Sequence, residues 1–308
     1  MIKFPTVLVL GAGASIPYGF PSGAELKKII CEVKFPPSFD SSFSSLKVSN
    51  FVNAFRNSHV NSIDSFLARR SEYVGIGKAI IANIISRKED IEYFNLNIED
   101  DWYALLWNKL VADVHSIEDF AKNNLKIITF NYDRSLEAFL LTSFCNTFGV
   151  ETDIAKEALK GIRIIHFYGH LGELSQGYSK TELPYKNNHS DSFIFQAAGN
   201  IKIIPEHRDN LETNVEIESW FVEARNIFFL GFGFDALNIT RLGLKETFEK
   251  MFNSNTEHIT VMASTYKLTA SEASLAGTLL LGKAKTHSWD NVSQTCSGTL
   301  RHYAEKFV

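Results

Sequence analysis

Asn131 and Asp133, in the run Thr129-Phe130-Asn131-Tyr132-Asp133, set an amide and a carboxylate two residues apart behind an apolar stretch. An amide both donates and accepts, so Asn131 suits orienting a water or a sugar hydroxyl. The same residue types also suit capping a following helix, where they satisfy free backbone amides. A second segment, His166-Phe167-Tyr168-Gly169-His170, gathers two imidazoles and a phenol around a glycine. Histidine exchanges protons near neutral pH, and strand alternation puts His166 and Tyr168 on one face. Neither histidine has cysteine or carboxylate partners at metal-site spacing.

Two glycine-rich turns complete the set. Gly11-Ala12-Gly13-Ala14-Ser15 and Gly231-Phe232-Gly233-Phe234-Asp235 each follow an apolar run. Glycine permits positive φ and lets a pyrophosphate approach backbone N–H groups, which is the expectation for Gly11 and Gly13. Asp235 or Asn238 would then meet a ribose hydroxyl. The alternative for both turns is tight strand-to-helix geometry with no ligand.

These residues need a scaffold that brings distant segments together. Thr6–Leu10, Lys126–Phe130, Ile162–Phe167 and Asn226–Leu230 are continuous apolar runs that read as buried parallel strands. Each ends in one of the segments above, and open parallel sheets bind ligands at the carboxyl ends of their strands. The expected fold is therefore α/β with a parallel sheet, in one domain over residues 1–308. A helix is expected from Ala24 to Val33 with Ser22 as its cap, then a Pro/Ser-rich loop over 35–50. Helical periodicity from Asn61 to Lys122 makes an inserted helical lobe, bounded at 35–122, with Ser62 and Asp64 at a helix start. A helix through Leu141, a loop over 173–192 and short strands at Phe193–Phe195 and Ile201–Ile204 follow. A helix at Glu216–Arg225, a strand at His258–Met262 and helices from Ala270 onward complete the reading.

Composition narrows the function classes. Among 308 residues the net charge is −4, so no global basic field exists to hold a nucleic-acid backbone. The three cysteines, Cys31, Cys145 and Cys296, form no C-x-x-C pair, which speaks against a zinc ribbon. A sparse, odd cysteine count suits the reducing cytoplasm. No apolar stretch approaches the length of a membrane span, and Thr6–Leu10 is too short for a signal-peptide core. The expectation is a cytoplasmic protein with no metal, no membrane contact and no direct nucleic-acid binding.

Taken in order, GAGAS…PSG, TFNYD, a histidine-containing strand ending in glycine and a strand ending in GFGFD resemble the Sir2-like family, over about residues 5 to 265. The stretch SIDSFLARRSEYVGIGKAIIANII is similar to the helical region of bacterial Sir2-like proteins of anti-phage defence. The resemblance implies a Rossmann-like NAD site. Gly11, Ala12, Gly13, Ser15 and Pro21 would hold the pyrophosphate and nearby ribose, and Gly231, Gly233 and Asp235 the adenosine side. Asn131 and Asp133 would act at the nicotinamide ribose. Two departures stand out: the four-cysteine zinc module of the deacylases is missing, and Tyr168 stands where the family has histidine. The implied activity is NAD hydrolysis at the nicotinamide–ribose bond, with NAD as substrate and His166 or Tyr168 handling the proton. The alternatives are a non-catalytic NAD or ADP-ribose sensor, a deacylase or ADP-ribosyltransferase, and an oxidoreductase. The family also implies restraint by a partner (an ATPase, an Argonaute-like or a purine-nucleotide pyrophosphatase-like protein) or by homo- or hetero-oligomeric assembly.

Overall fold

The computed structural model describes residues 1–32, 43–95, 97–175, 182–187, 190–203, 211–251, 259–282 and 288–307. Strand β1 (Thr6–Leu10) is buried at every position. Side chains alternate between sheet faces, so a strand with no exposed position lies between two covered faces. Helix α1 (Gly23–Glu32) follows, and its first turn is closed by Ser22 and Glu25, whose side chains each accept from the other's backbone N–H.

The chain then leaves the sheet for the lobe: α2 (Ser45–Asn57), α3 (Ile63–Leu67), α4 (Val74–Ser86), α5 (Trp102–Val111) and α6 (Ile117–Phe120). Every residue of α4 from Ala79 to Ser86 is buried, as in a helix packed on all sides. It returns through β2 (Leu125–Thr129), α7 (Ser135–Phe148), α8 (Thr152–Leu159) and β3 (Arg163–His166). A small parallel pair, β4 (Glu173–Ser175) and β5 (Glu182–Pro184), precedes α9 (Asp191–Asn200) and α10 (Leu211–Glu223). The second half runs β6 (Asn226–Leu230), α11 (Ala236–Leu242), α12 (Leu244–Met251), β7 (Thr260–Ser264), α13 (Ala270–Leu281), β8 (Ser288–Val292) and α14 (Cys296–His302).

The main sheet has six strands in the order β3-β2-β1-β6-β7-β8, all parallel. Counted along the chain within this sheet, the order is 3-2-1-4-5-6. That is the doubly wound order of the nucleotide-binding folds, with the reversal of direction between β1 and β6. The expected parallel α/β architecture is present.

Several local readings change. Phe193–Phe195 belongs to helix α9, whose N-cap Ser190 accepts from the Phe193 N–H. Its buried Phe193, Ile194, Ala197 and Ala198 follow helical spacing. α9 packs on α4, so the lobe takes in a helix from well beyond residue 122. Residues 201–203 are not a strand, though Ile201 and Ile203 are buried; Ile204 lies outside the described residues. Within 35–50, residues 35–42 also lie outside them, while Ser44 caps α2, so part of the expected loop is helix. The expected strand at His258–Met262 starts later, at Thr260, and His258 is outside the described residues. β4 and β5 both lie within the 173–192 stretch expected to be loop, and β8 carries no apolar-run signal because its SWDNV sequence is polar and half-exposed at the sheet edge.

Candidate functional site

A cavity of about 1220 Å³ lies along the carboxyl ends of the sheet strands. The turns after β1, β2, β6 and β7 line it, together with the lobe segments 61–64 and 97–100. Gly11, Ala12, Gly13, Ser15, Pro21, Asn131, Asp133, Tyr168, Gly231, Gly233 and Asp235 all line this one cavity. Sequence segments more than 200 residues apart thus meet where a doubly wound sheet binds ligands. His166 is not in the lining.

The glycines divide into two kinds. Gly11 is extended, at φ −113°, and neither it nor Gly13 takes a positive φ, against expectation. What requires glycine is the approach of another backbone. The Gly13 N–H donates to Gly231 O at 2.9 Å. A Cβ on Gly11 or Gly13 would lie 2.6 or 2.7 Å from Gly231 O. Gly231 does take positive φ, +58°, and a Cβ there would lie 2.0 Å from Ala14 N. The two turns are therefore locked together across the β1–β6 junction. From the other side, the Trp102 indole donates to Ala14 O at 2.8 Å, so lobe helix α5 also holds the first turn. Gly233 differs, because a Cβ there would meet no atom within 4 Å. Gly231→Ala is expected to cost about 2–3 kcal/mol from left-handed strain and forced separation. Gly233→Ala is expected to stay within about 0.5 kcal/mol, the usual range for substitutions that disturb no packing. Urea denaturation of the two variants checks this, and equal losses would contradict it.

Asn131 is 8% exposed and sits at the cavity floor. Its Nδ2 donates to Gly11 O at 3.1 Å and to Ser15 Oγ at 2.8 Å. A backbone carbonyl only accepts, so the amide is oriented with Nδ2 towards the glycine turn. Its Oδ1 is buried and has no protein partner. Asp133 takes a supporting place: its Oδ1 accepts from the Ser135 hydroxyl and from Ser135 N at 3.2 Å. Burial raises the Asp133 pKa, while hydrogen bonds from Ser135 and Ser15 work the other way. Tyr103 reaches the same group, its hydroxyl 2.7 Å from Ser135 Oγ. Asp133 thus both braces the start of α7 and helps fix Ser15, which in turn fixes Asn131.

His166 lies beneath this floor. Its Nδ1 is 2.9 Å from Asn131 O, an acceptor only, so Nδ1 carries a proton. Its Nε2 bonds the Glu137 carboxylate in the first turn of α7. Burial opposes a charged ring, but the Glu137 carboxylate and the hydrogen bonds to Glu137 and Asn131 together raise the His166 pKa. Burial likewise opposes a charged Glu137, and the His166 charge overrides it, lowering its pKa. The pair is a partly buried ion pair that positions the Asn131 backbone. Tyr168 does line the cavity, with its hydroxyl donating to Asn238 Oδ1 and accepting from Arg241, both at 2.5 Å. Asp235, expected at a ribose, caps α11 by accepting from Leu237 N and Asn238 N, yet remains exposed at the cavity.

His170 lies against His166, ring centres 4.5 Å apart and the rings tilted by 40°. Burial, with the neighbouring His166 charge, pushes its pKa down to about 4. It therefore stays neutral in the fold between pH 6.5 and 4, where the unfolded chain takes up a proton. Stability from this group is complete above pH 6.5 and falls as pH drops towards 4. A His170→Gln variant is expected to lose less stability than the parent between pH 7 and 4.5, by about 2–3 kcal/mol. Identical urea midpoints shifts with pH in the two proteins would refute this.

Three groups were not singled out as site residues from the sequence. Asp64, read as part of a helix start, leaves the capping to Ser62 and accepts from the Tyr132 hydroxyl at the cavity wall. Arg241 holds Tyr168. Arg134, behind Asp133, forms a two-pronged buried pair with Glu89 of the lobe, at 2.9 and 2.5 Å. It also donates to the carbonyls of Gly172, Glu173 and Pro184. A usable signal existed for Asp64 in the acid that follows Ser62 by two residues; the partners of Arg134 left none.

Among the described residues, no three or more His, Cys, Asp or Glu side chains gather to hold a metal ion. No helix among them is long and apolar enough to cross a membrane. No protein-family model matches the chain, and no curated protein sequence is significantly similar to it.

Proposed function

We propose that this protein cleaves NAD at the nicotinamide–ribose bond, with water as acceptor. The observation that carries the reading is Asn131, which lines a cavity at the carboxyl ends of a doubly wound sheet and whose buried Oδ1 has no protein partner. A buried acceptor without a partner is costly, and a ribose hydroxyl or an attacking water would satisfy it. The charge distribution supports the same ligand. Asp64, Glu99 and Asp100 of the lobe line the cavity together with Lys27 of α1 and Lys267 after β7. NAD has a cationic nicotinamide ring at one end and an anionic pyrophosphate in its middle. Cleavage passes through an oxocarbenium-like state, by analogy with glycoside hydrolysis. Holding ribose and water in a fixed geometry supplies much of the acceleration. On this reading Asn131 orients the water or ribose, Asp133 and His166 position Asn131, and Gly11, Gly13 and Ser15 shape the floor.

The test is incubation with NAD and chromatographic separation of products, alone and with the proteins encoded beside it. Nicotinamide and an ADP-ribose product are expected. Gly233 lines the cavity and an added Cβ there would meet no atom within 4 Å, so a Gly233→Trp variant is expected to stay folded and to lose NAD binding and turnover. Undiminished turnover in that variant would place the activity elsewhere. The second reading is a regulatory subunit that binds NAD or ADP-ribose without cutting it. It is favoured by the engagement of both His166 nitrogens and of the Tyr168 hydroxyl. Calorimetric binding of NAD with no product in any mixture would select it. By the Sir2-like resemblance, turnover is restrained until a partner or self-assembly releases it, and full activity of the isolated monomer would count against that.

A further inference from the structure

If His166 is spent beneath the floor, a hydrolase still needs a group to take the proton from water. We propose that Asp64, on the lobe wall, is the catalytic base of the NAD cleavage argued above. This rests on that reading and names the group it lacks.

The geometry is specific. Asp64 lines the cavity with Asn131 and Tyr168. Its Oδ1 accepts from the Tyr132 hydroxyl, on the residue next to Asn131, and its Oδ2 accepts from Ser62 Oγ at 3.3 Å. A carboxylate has about four acceptor positions, so two remain for a water. Both of its protein partners are hydroxyl donors, which fix the carboxylate without neutralising it. A cation that acts on it electrostatically, Arg241, is itself bonded to the Tyr168 hydroxyl. Burial raises the Asp64 pKa, and the hydrogen bonds from Tyr132 and Ser62 pull against that rise. A carboxyl with a raised pKa is a stronger base once ionised.

In the step, a water oxygen bonds to C1′ of the nicotinamide ribose as the C1′–N bond breaks. The bonding pair leaves with the ring nitrogen, giving neutral nicotinamide. The proton of the attacking water passes to an Asp64 oxygen and then to solvent. Before that transfer the same carboxylate faces the positive charge that develops on the ribose, so one group serves both demands. Tyr132 acts on Asp64 and is a positioning residue.

Three variants test this, with kcat read against pH. Asp64→Asn is nearly isosteric and is expected to lower kcat by roughly 100-fold or more and to abolish the acid limb of its pH profile. Asp64→Glu is expected to recover part of the rate and to retain the limb. Tyr132→Phe removes a bond that lowers the Asp64 pKa, so the acid limb should move to higher pH, a displacement that a purely structural tyrosine would not produce. Calorimetric NAD binding by each variant reports an intact site. Wild-type kcat and profile in Asp64→Asn, beside a wild-type protein that cleaves NAD, overturns the assignment alone. A wild-type protein that binds NAD and never cleaves it removes the underlying reading and the assignment together.

Discussion

Asn131→Ala is expected to lower NAD turnover by at least about 100-fold while the protein stays folded. The fold survives because the loss is local. Gly11 O and Ser15 Oγ give up a donor, at about 1–3 kcal/mol together with the small cavity. The proposed activity is expected to be lost, because on that reading the Asn131 amide is the group that the surrounding hydrogen bonds position. Tyr103, Ser135, Asp133 and Ser15 form a chain of bonds that ends on the Asn131 amide, and His166 holds its carbonyl. Asn131→Asp sharpens the test. An ionised carboxylate would point an acceptor at Gly11 O, so the side chain would have to turn and the floor would lose its arrangement. Both variants should therefore fall in kcat more than they rise in KM. A folded Asn131→Ala protein that cuts NAD at the wild-type rate would remove Asn131 from the mechanism.

Arg134→Met should destabilise the protein by about 3–5 kcal/mol, because it leaves the Glu89 carboxylate buried without its cation. Both members of the pair are at most 1% exposed. The same guanidinium also bonds three carbonyls at the approach to β4 and the end of β5, so its loss strands acceptors in two further segments. Glu89→Gln should cost less, since a neutral amide still accepts from Arg134. The double variant Arg134→Met, Glu89→Leu should recover part of the loss, as apolar replacements of buried ion pairs often do. Urea denaturation measures all three. A loss below 1 kcal/mol in Arg134→Met would mean the pair contributes little to holding the lobe on the sheet.

How far the sequence reached depended on the range of the interactions involved. β1, β2 and β6 were legible because buried parallel strands are continuous apolar runs, and the glycines behind them marked where they end. That these turns would share one cavity followed from the sheet rule, and they do. Polar pairings across distance were not legible. Nothing near His166 in sequence announces Glu137, 29 residues earlier. The role of Asp64 was masked by a local reading that was itself sound: Ser62 and Asp64 do stand at a helix start, but only the serine caps it. Gly11 and Gly13 were recognised as necessary for the wrong cause, since the backbone that approaches them belongs to the protein's own β6 turn. β8 escaped because an edge strand can carry Ser288, Asp290 and Asn291 without breaking its ladder.

The lock between Gly13 and Gly231 has a consequence for substitution. Neither turn can drift by itself, because any side chain gained on one must be answered by retreat of the other. Two motifs that look independent in the linear chain therefore tolerate change only as a pair. Gly233, only two positions away, is under no such bond. Gly233 can therefore take a side chain without touching the junction, whereas a side chain at Gly11, Gly13 or Gly231 must displace the facing turn.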